Sequence, residues 1–458
     1  MRQRMTRRAF LRQAAAGGAG LGLVILHGGQ AAHTYAANNK LNVALIGVGG
    51  RGKWFVDEIP KLESVAAMCD VNESKAANAY KAYPDLPKFY DFREMLDKMG
   101  KQIDAVVVAT PDHTHAVASV AAMKAGKHVF TEKPLSRTVH EARAMRQTAE
   151  KQQVATQMGN QGSSSGQFRR GVELIQEGAL GEVKEIYVWN AGGGSNRTER
   201  PKGTQPVPPY LKWDLWLGPA AFREFHAEWL YINHWRDFGT AMLGWWASHS
   251  AYLGFTAIKA LSCWHADPQT RPRIRVQADV SEINKLSFPR WEVVHFKIPA
   301  RENLPPITLE WFGGNQDLWK KVEGYIGRQL DWGDAGEKKW KEHGGALIVG
   351  SKGMLRANEH NGGIFLYPED QFAGEPKPAQ KFPASQGHER DWLQAARGGA
   401  PTLSNFSNTG PFIELLMLGN VATQFKEEME YDPLEGKIVN NVEADALAHP
   451  EYRQGWSL

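Results

Sequence analysis

Between Leu41 and about Gly159 the chain alternates short apolar runs with segments of helical character. The runs Val43–Ile46, Val65–Cys69, Ile103–Ala109, His128–Phe130 and Val154–Met158 fit buried strands, and Lys53–Ile59, Asn72–Tyr83 and Val139–Lys151 fit the helices between them. Strictly alternating strand and helix predicts an α/β fold built on a doubly wound parallel sheet. Ligands of such sheets sit beyond the carboxyl ends of the strands. Two predicted strand ends carry unusual residues, Thr110-Pro111-Asp112-His113-Thr114-His115 and Thr131-Glu132-Lys133-Pro134.

The first run ends in Gly47-Val48-Gly49-Gly50-Arg51-Gly52, a G-x-G-x-x-G stretch between strand and helix. That is the context of a dinucleotide fingerprint. Gly47 permits the tight turn, Gly49 lets the backbone approach a pyrophosphate at the positive end of the helix, and Gly52 lets helix and strand pack closely. Asp70 ends the next run, where an acid would accept hydrogen bonds from the adenosine ribose and repel a 2′-phosphate. The spacing predicts NAD in preference to NADP.

The length of 458 residues allows two or three domains. A formal charge of +4 invites a nucleic-acid reading, but residues 1–37 hold Arg2, Arg4, Arg7, Arg8, Arg12 and no acid. The rest of the chain is therefore slightly acidic, and nothing points to nucleic acid. Arg7-Arg8 followed by the Ala/Gly-rich run Ala14–Leu26 reads as a twin-arginine signal spanning 1–37, too short and glycine-rich for a membrane span. It predicts export of a folded, cofactor-loaded protein to the periplasm or beyond. Cys69 and Cys263 are the only cysteines and fit packed thiols, with no metal site implied.

The motifs GVGGRG, CDVN, ATPDHTHAVA, GKHVFTEKPLS and QMGNQ, with LKWDLWLGPA, WRDFGT and SNFSNTGPFIELLMLGN further on, resemble the Gfo/Idh/MocA family of sugar and cyclitol oxidoreductases. The resemblance implies a nucleotide-binding domain over 41–160. It further implies a substrate domain over 161–458, with a large open, mostly antiparallel sheet that often joins subunits into homo-oligomers. The substrate would be a small carbohydrate held between that sheet and the nicotinamide. Lys133 matches the family's proton-accepting group, with Lys133–Pro134 in cis; Glu132 supports it, and Thr110, Pro111, His115 and Asn160 match positions around the nicotinamide. Burial beside a cationic nicotinamide would lower the lysine's pKa toward working pH.

One departure stands out. Many relatives carry an Asp four residues before a His, but Gly244–His249 has Trp245 at the Asp position and retains only His249. His249 and Lys133 are then the acid/base pair, and Arg236, Trp245 and His249 are candidate substrate contacts, with His388 in GHER a further one. Of 16 tryptophans, twelve lie between Trp213 and Trp340; part of that set could stack on a sugar ring, while most fit core or subunit contacts. Gly192–Pro209 reads as a loop over the cleft. The leading expectation is an NAD-dependent sugar oxidoreductase with a tightly held cofactor recycled in place. A redox-neutral glycoside-cleaving or eliminating enzyme and a catalytically silent sugar-binding protein are the competing readings.

Overall fold

The computed structural model describes residues 40–314, 318–328, 344–374 and 381–458. The signal expected over 1–37 lies outside the described residues.

A six-stranded sheet is formed by β1 (Asn42–Ile46), β2 (Ser64–Cys69), β3 (Lys88–Phe89), β4 (Ala105–Val108), β5 (His128–Thr131) and β6 (Thr156–Met158). Its order is β3-β2-β1-β4-β5-β6 and every pairing is parallel. The Ala-Val-Val-Val of β4 is buried throughout, as a strand covered on both faces must be. The crossover helices are α1 (Gly52–Leu62), α2 (Glu73–Ala82), α3 (Phe92–Met99), α4 (Asp112–Lys124) and α5 (Val139–Gln152). Their starts are written locally: Asn72 caps α2, and Thr138 with Glu141 makes a reciprocal capping box on α5. The strand order reverses between β1 and β4, so the crevice at that point is where a ligand belongs.

The second sheet has nine strands: β7 (Val183–Asn190), β8 (Ile274–Val280), β9 (Glu292–Ile298), β10 (Ile307–Gly313), β11 (Gly344–Gly350), β12 (Met354–Asn358), β13 (Ile364–Tyr367), β14 (Met429–Asp432) and β15 (Lys437–Ile438). They run in the order β13-β12-β11-β7-β10-β9-β8-β14-β15, with β7 and β10 parallel and every other pair antiparallel. Burial alternates along β10, which marks a sheet with one face on a core. That face is covered by helices: Gly254 lies against Ile186, and Gly419 against Phe296 and Leu243. The helix Phe406–Ala422 is buried almost all round, and its Glu414 faces Arg143 and Arg146 of α5. The two sheets are thereby tied into one body, with the carboxyl ends of the first facing the helices on the second.

Cys69 and Cys263 are buried and free. Most described tryptophans are core. Trp213, Trp216, Trp229 and Trp235 pack with Phe225 and Phe238 in one apolar cluster, and Trp264 and Trp311 lie in the main core. Among the described residues no helix is long and apolar enough to cross a membrane, and no group of three His, Cys, Asp or Glu could hold a metal.

Candidate active site

The glycine loop is shaped by close approach. Gly47 has φ of +81°, and a Cβ there would lie 2.6 Å from the Ala109 carbonyl at the end of β4. A Cβ on Gly52 would lie 2.0 Å from the Gly47 carbonyl, so any larger residue would push α1 off the loop. The Asp70 carboxylate holds the loop from the next strand, Oδ2 accepting from Val48 N at 2.9 Å and Gly49 N at 3.3 Å, Oδ1 from Asn72 N at 2.9 Å. Burial raises its pKa against those three N–H groups. Each carboxylate oxygen has two acceptor positions, so Oδ1 keeps one for a ribose hydroxyl.

These residues open onto a cleft of about 370 Å³ lined by Gly47, Gly49, Gly50, Arg51, Asp70, Thr110 and Pro111 on one side and by Leu215, Trp216, Leu230, Ile232 and Trp456 on the other. Such a volume suits a cofactor. Two further features fit a dinucleotide. Thr110 Oγ1 is buried without a partner in the cleft wall, and both side-chain polar atoms of Asn160 are buried without partners just past β6. Buried polar groups are normally hydrogen-bonded, so these are groups that a ligand bound here would satisfy.

At the end of β5 the Lys133–Pro134 bond is cis, as the family resemblance implies. Glu132 is turned back, its Oε1 accepting from Arg51 Nε at 2.8 Å and its Oε2 from Lys133 N at 3.2 Å. Lys133 Nζ donates to the Trp245 carbonyl at 3.0 Å and sits 5.4 Å and 5.8 Å from the rings of Trp245 and Trp246. Burial lowers its pKa, opposed by the charges of Glu132 and Asp112.

Trp245 and Trp246 belong to a π-helical turn, Leu243–Ala247, that leads into His249. The Trp245 indole does not lie free in the cleft: its N–H donates to the Asp112 carboxylate at 3.0 Å, which also accepts from Thr240 Oγ1 at 2.8 Å. An acid is therefore present here, supplied by the first residue of α4 rather than by position 245. His249 is 4% exposed and its Nδ1 has no partner. Burial holds its pKa well below the usual imidazole value, and the charges of Lys133, His360, His388 and Arg51 push the same way.

Three residues that the sequence offers as site candidates have their side-chain polar atoms engaged within the fold. Both ring nitrogens of His115 are spent on backbone, Nδ1 on the Pro134 carbonyl and Nε2 on the Thr110 carbonyl, each at 2.7 Å. It braces the two strand-end loops and offers the cofactor no polar atom. Arg236 donates to the Asn284 carbonyl, the Asn420 carbonyl and Thr423 Oγ1, and stacks 4.7 Å over Phe288. With its donors committed to the fold and its pKa pulled down by burial to about 9, it ties segments together. His388 likewise bonds the Met158 carbonyl and Ser164 Oγ. Asp112, Trp246 and His360 are site neighbours that the sequence reading passed over. Asp112 stood inside the TPDHTH motif, whereas nothing local marks His360.

Fold and cleft together define a dinucleotide-binding protein that carries a second, nine-stranded sheet. Residues 41–160 match the model of the GFO_IDH_MocA oxidoreductase family, NAD-binding Rossmann fold. The chain is 31% identical over 153 residues to the levoglucosan dehydrogenase of Pseudarthrobacter phenanthrenivorans, covering 31% of this chain and 39% of that one. It is 32% identical over 159 residues to a glycosyl hydrolase family 109 protein of Solibacter usitatus, covering 32% and 36%. The matches thus span less than half the length of these curated relatives. Among solved structures, the WlbA dehydrogenase of Bordetella pertussis in complex with NADH and UDP-GlcNAcA superposes with a TM-score of 0.54 at 17% identity, covering 85% of this chain and 98% of that one.

Proposed function

We propose that the protein is an NAD-dependent oxidoreductase acting on a CH–OH group of a sugar or sugar derivative. The observation that carries this reading is a set of proton-handling and partnerless groups beyond the β5 end: Lys133 with lowered pKa, His249 with an unpaired Nδ1, and Asn160 with an unsatisfied amide. When bound, NAD supplies the hydride acceptor. Lys133 in its neutral form accepts the hydroxyl proton at Nζ, His249 holds or returns a proton at Nδ1, and Asn160 orients what lies between. Trp245 and Trp246 exclude water from Lys133. Asp70 favours NAD over NADP by opposing a 2′-phosphate.

The cofactor is held through turnover and recycled in place. Supporting this, residues 210–212 are stitched to the β2–α2 loop beside Asp70, Lys212 N donating to the Val71 carbonyl and Glu73 N to the Tyr210 carbonyl, each at 2.9 Å. Such retention suits an exported enzyme, the location that Arg7-Arg8 supports, because no free nucleotide pool lies outside. The second sheet serves as the homo-oligomer face in this reading. The glycosyl hydrolase family 109 relative favours a second scheme, in which oxidation is followed by elimination next to the new carbonyl and then by reduction.

The test is to mix the purified protein, without added nucleotide, with aldoses, ketoses, cyclitols and glycosides while following absorbance of reduced nicotinamide. Reduction reversed by a second sugar supports oxidation with recycling in place, reduction that persists supports oxidation without recycling, and transient reduction with release of an aglycone supports the eliminating scheme. No reduction by any sugar, even with NAD supplied, overturns both and leaves a sugar-binding protein.

A further inference from the structure

The hairpin turn joining β12 and β13 reaches back toward the first domain. Asn358 Oδ1 accepts from Gly362 N at 2.9 Å and Gly363 N at 3.3 Å, and Asn361, at φ of +56°, is fully buried with its Oδ1 accepting from Leu253 N at 3.1 Å. Asn tolerates that left-handed backbone and fills its own turn with hydrogen bonds. Ser165 Oγ donates to the Gly362 carbonyl at 3.0 Å. A Cβ on Gly162 would lie 1.6 Å from the His360 carbonyl. The turn is thus wedged against the segment that carries Asn160, and its position is fixed from both sides.

The side chain so placed is His360. Its ring centroid lies 4.7 Å from that of His249, tilted by 54°, and 5.5 Å from Trp246. The two imidazoles differ in one respect that matters: His249 is sealed, while the His360 side chain is 46% exposed, with Glu359 Oε1 at 3.5 Å from its Nδ1. A proton arriving on a buried imidazole needs a group that can pass it to solvent.

We propose that His360 is a positioning residue of the reaction centre that acts through His249, setting its ring orientation and exchanging its proton with solvent. The proposal rests on the oxidoreductase reading above. The substrate hydroxyl proton passes to Lys133 and from Lys133 to His249, whose proton leaves to water through His360, while the hydride goes to NAD, so no oxidant or reductant beyond NAD is involved. The charged and titratable groups that face this pair are Lys133, Glu359, Arg51 and His388. A cation at His360 disfavours one at His249, so the charge state of the exposed ring bears on the buried one.

The experiment uses the purified, nucleotide-loaded protein with labelled histidine, as wild type, His249→Gln, His360→Gln and His360→Ala. In NMR titrations, His360→Gln should move the His249 titration to higher pH. A His249 titration left unmoved by His360→Gln overturns the proposal whether or not a substrate is known. With a sugar that reduces the cofactor, His360→Gln should lower kcat about ten-fold with KM little changed and alter the pH profile. Added imidazole should restore His360→Ala and not His360→Gln. Unchanged kcat and pH profile in both variants also overturns it, whereas a wild type that reduces with no sugar, alongside a His249 titration that His360→Gln does move, sinks the oxidoreductase reading alone.

Discussion

Lys133 is held by opposing influences: burial and Arg51 favour its neutral form, while Glu132 and Asp112 favour the ammonium. Because burial prevails, the neutral base appears at lower pH than in a free lysine, and kcat should rise with pH through that lowered pKa. Lys133→Met keeps volume and removes the base, so kcat should fall by about 10²- to 10⁴-fold, while the nucleotide measured in the purified protein stays bound. Near-normal turnover would remove Lys133 from the reaction. Asp112 makes a finer test, since its carboxylate favours the ammonium without touching Nζ. Asp112→Asn keeps an acceptor for the Trp245 indole and takes away the charge, so the rising limb of the pH–rate profile should move to lower pH. A limb that moves upward or stays fixed would show that Asp112 serves only to hold Trp245.

Among the elements, the β12–β13 hairpin offers a sharper perturbation than any site residue. Gly162→Ala places a methyl inside contact distance of the His360 carbonyl. Neither backbone can yield cheaply, so the hairpin should be displaced and kcat should fall at least ten-fold, with nucleotide affinity within about two-fold by fluorescence titration. The elements of the first domain were legible in the sequence because β1, β2, β4, β5 and β6 are apolar runs bounded by helix caps and glycine turns. Among its strands only β3 escaped, since Lys88–Phe89 is too short to show a period, and the helices Phe92–Met99 and Asp112–Lys124 were not marked out. Glycine loop, Asp70 and Lys133 were legible for a related reason: each is tied to the end of its own strand. Arg236, His388 and His360 were not, because their partners lie far along the chain, at Asn420, Met158 and His249. An arginine that reaches substrate and one that clamps three carbonyl or hydroxyl oxygens look alike until the chain is folded. The Asn361-Gly362-Gly363 turn could be read as a turn, but not as one that enters the cleft.

For the molecule as a whole, buried histidines set a direction for acid stability. Burial holds His113 at about 3 and His388 at about 4, both below the free value of 6.5. Between those values and 6.5 the unfolded chain binds more protons than the folded one, so stability rises with pH there and falls on acidification. The midpoint of urea unfolding should drop as pH is lowered from 6.5 toward 4, and His388→Gln should flatten that slope; an acid-insensitive midpoint would count against the burial of these rings.

The cleft's far wall decides a larger question, whether the cofactor leaves between turnovers. Leu215, Trp216, Leu230 and Ile232 come from a segment outside the first sheet, and Trp456 comes from the last stretch of the chain, packed 6.1 Å from Phe92 and 4.2 Å from the Arg93 guanidinium. To let a dinucleotide out, this wall must part from the β2–α2 loop, breaking the backbone bonds of Lys212 and Glu73 and exposing indole surface, at roughly 25 cal/mol for each Å² uncovered. Release should therefore be slow, and nucleotide should stay with the protein through gel filtration. Trp456→Ala removes part of the wall without touching the glycine loop or Asp70, so it should speed release about ten-fold or more and make turnover depend on added NAD. Protein that emerges free of nucleotide, yet turns over fully when NAD is supplied, would show that the wall does not retain the cofactor and that it exchanges on every cycle.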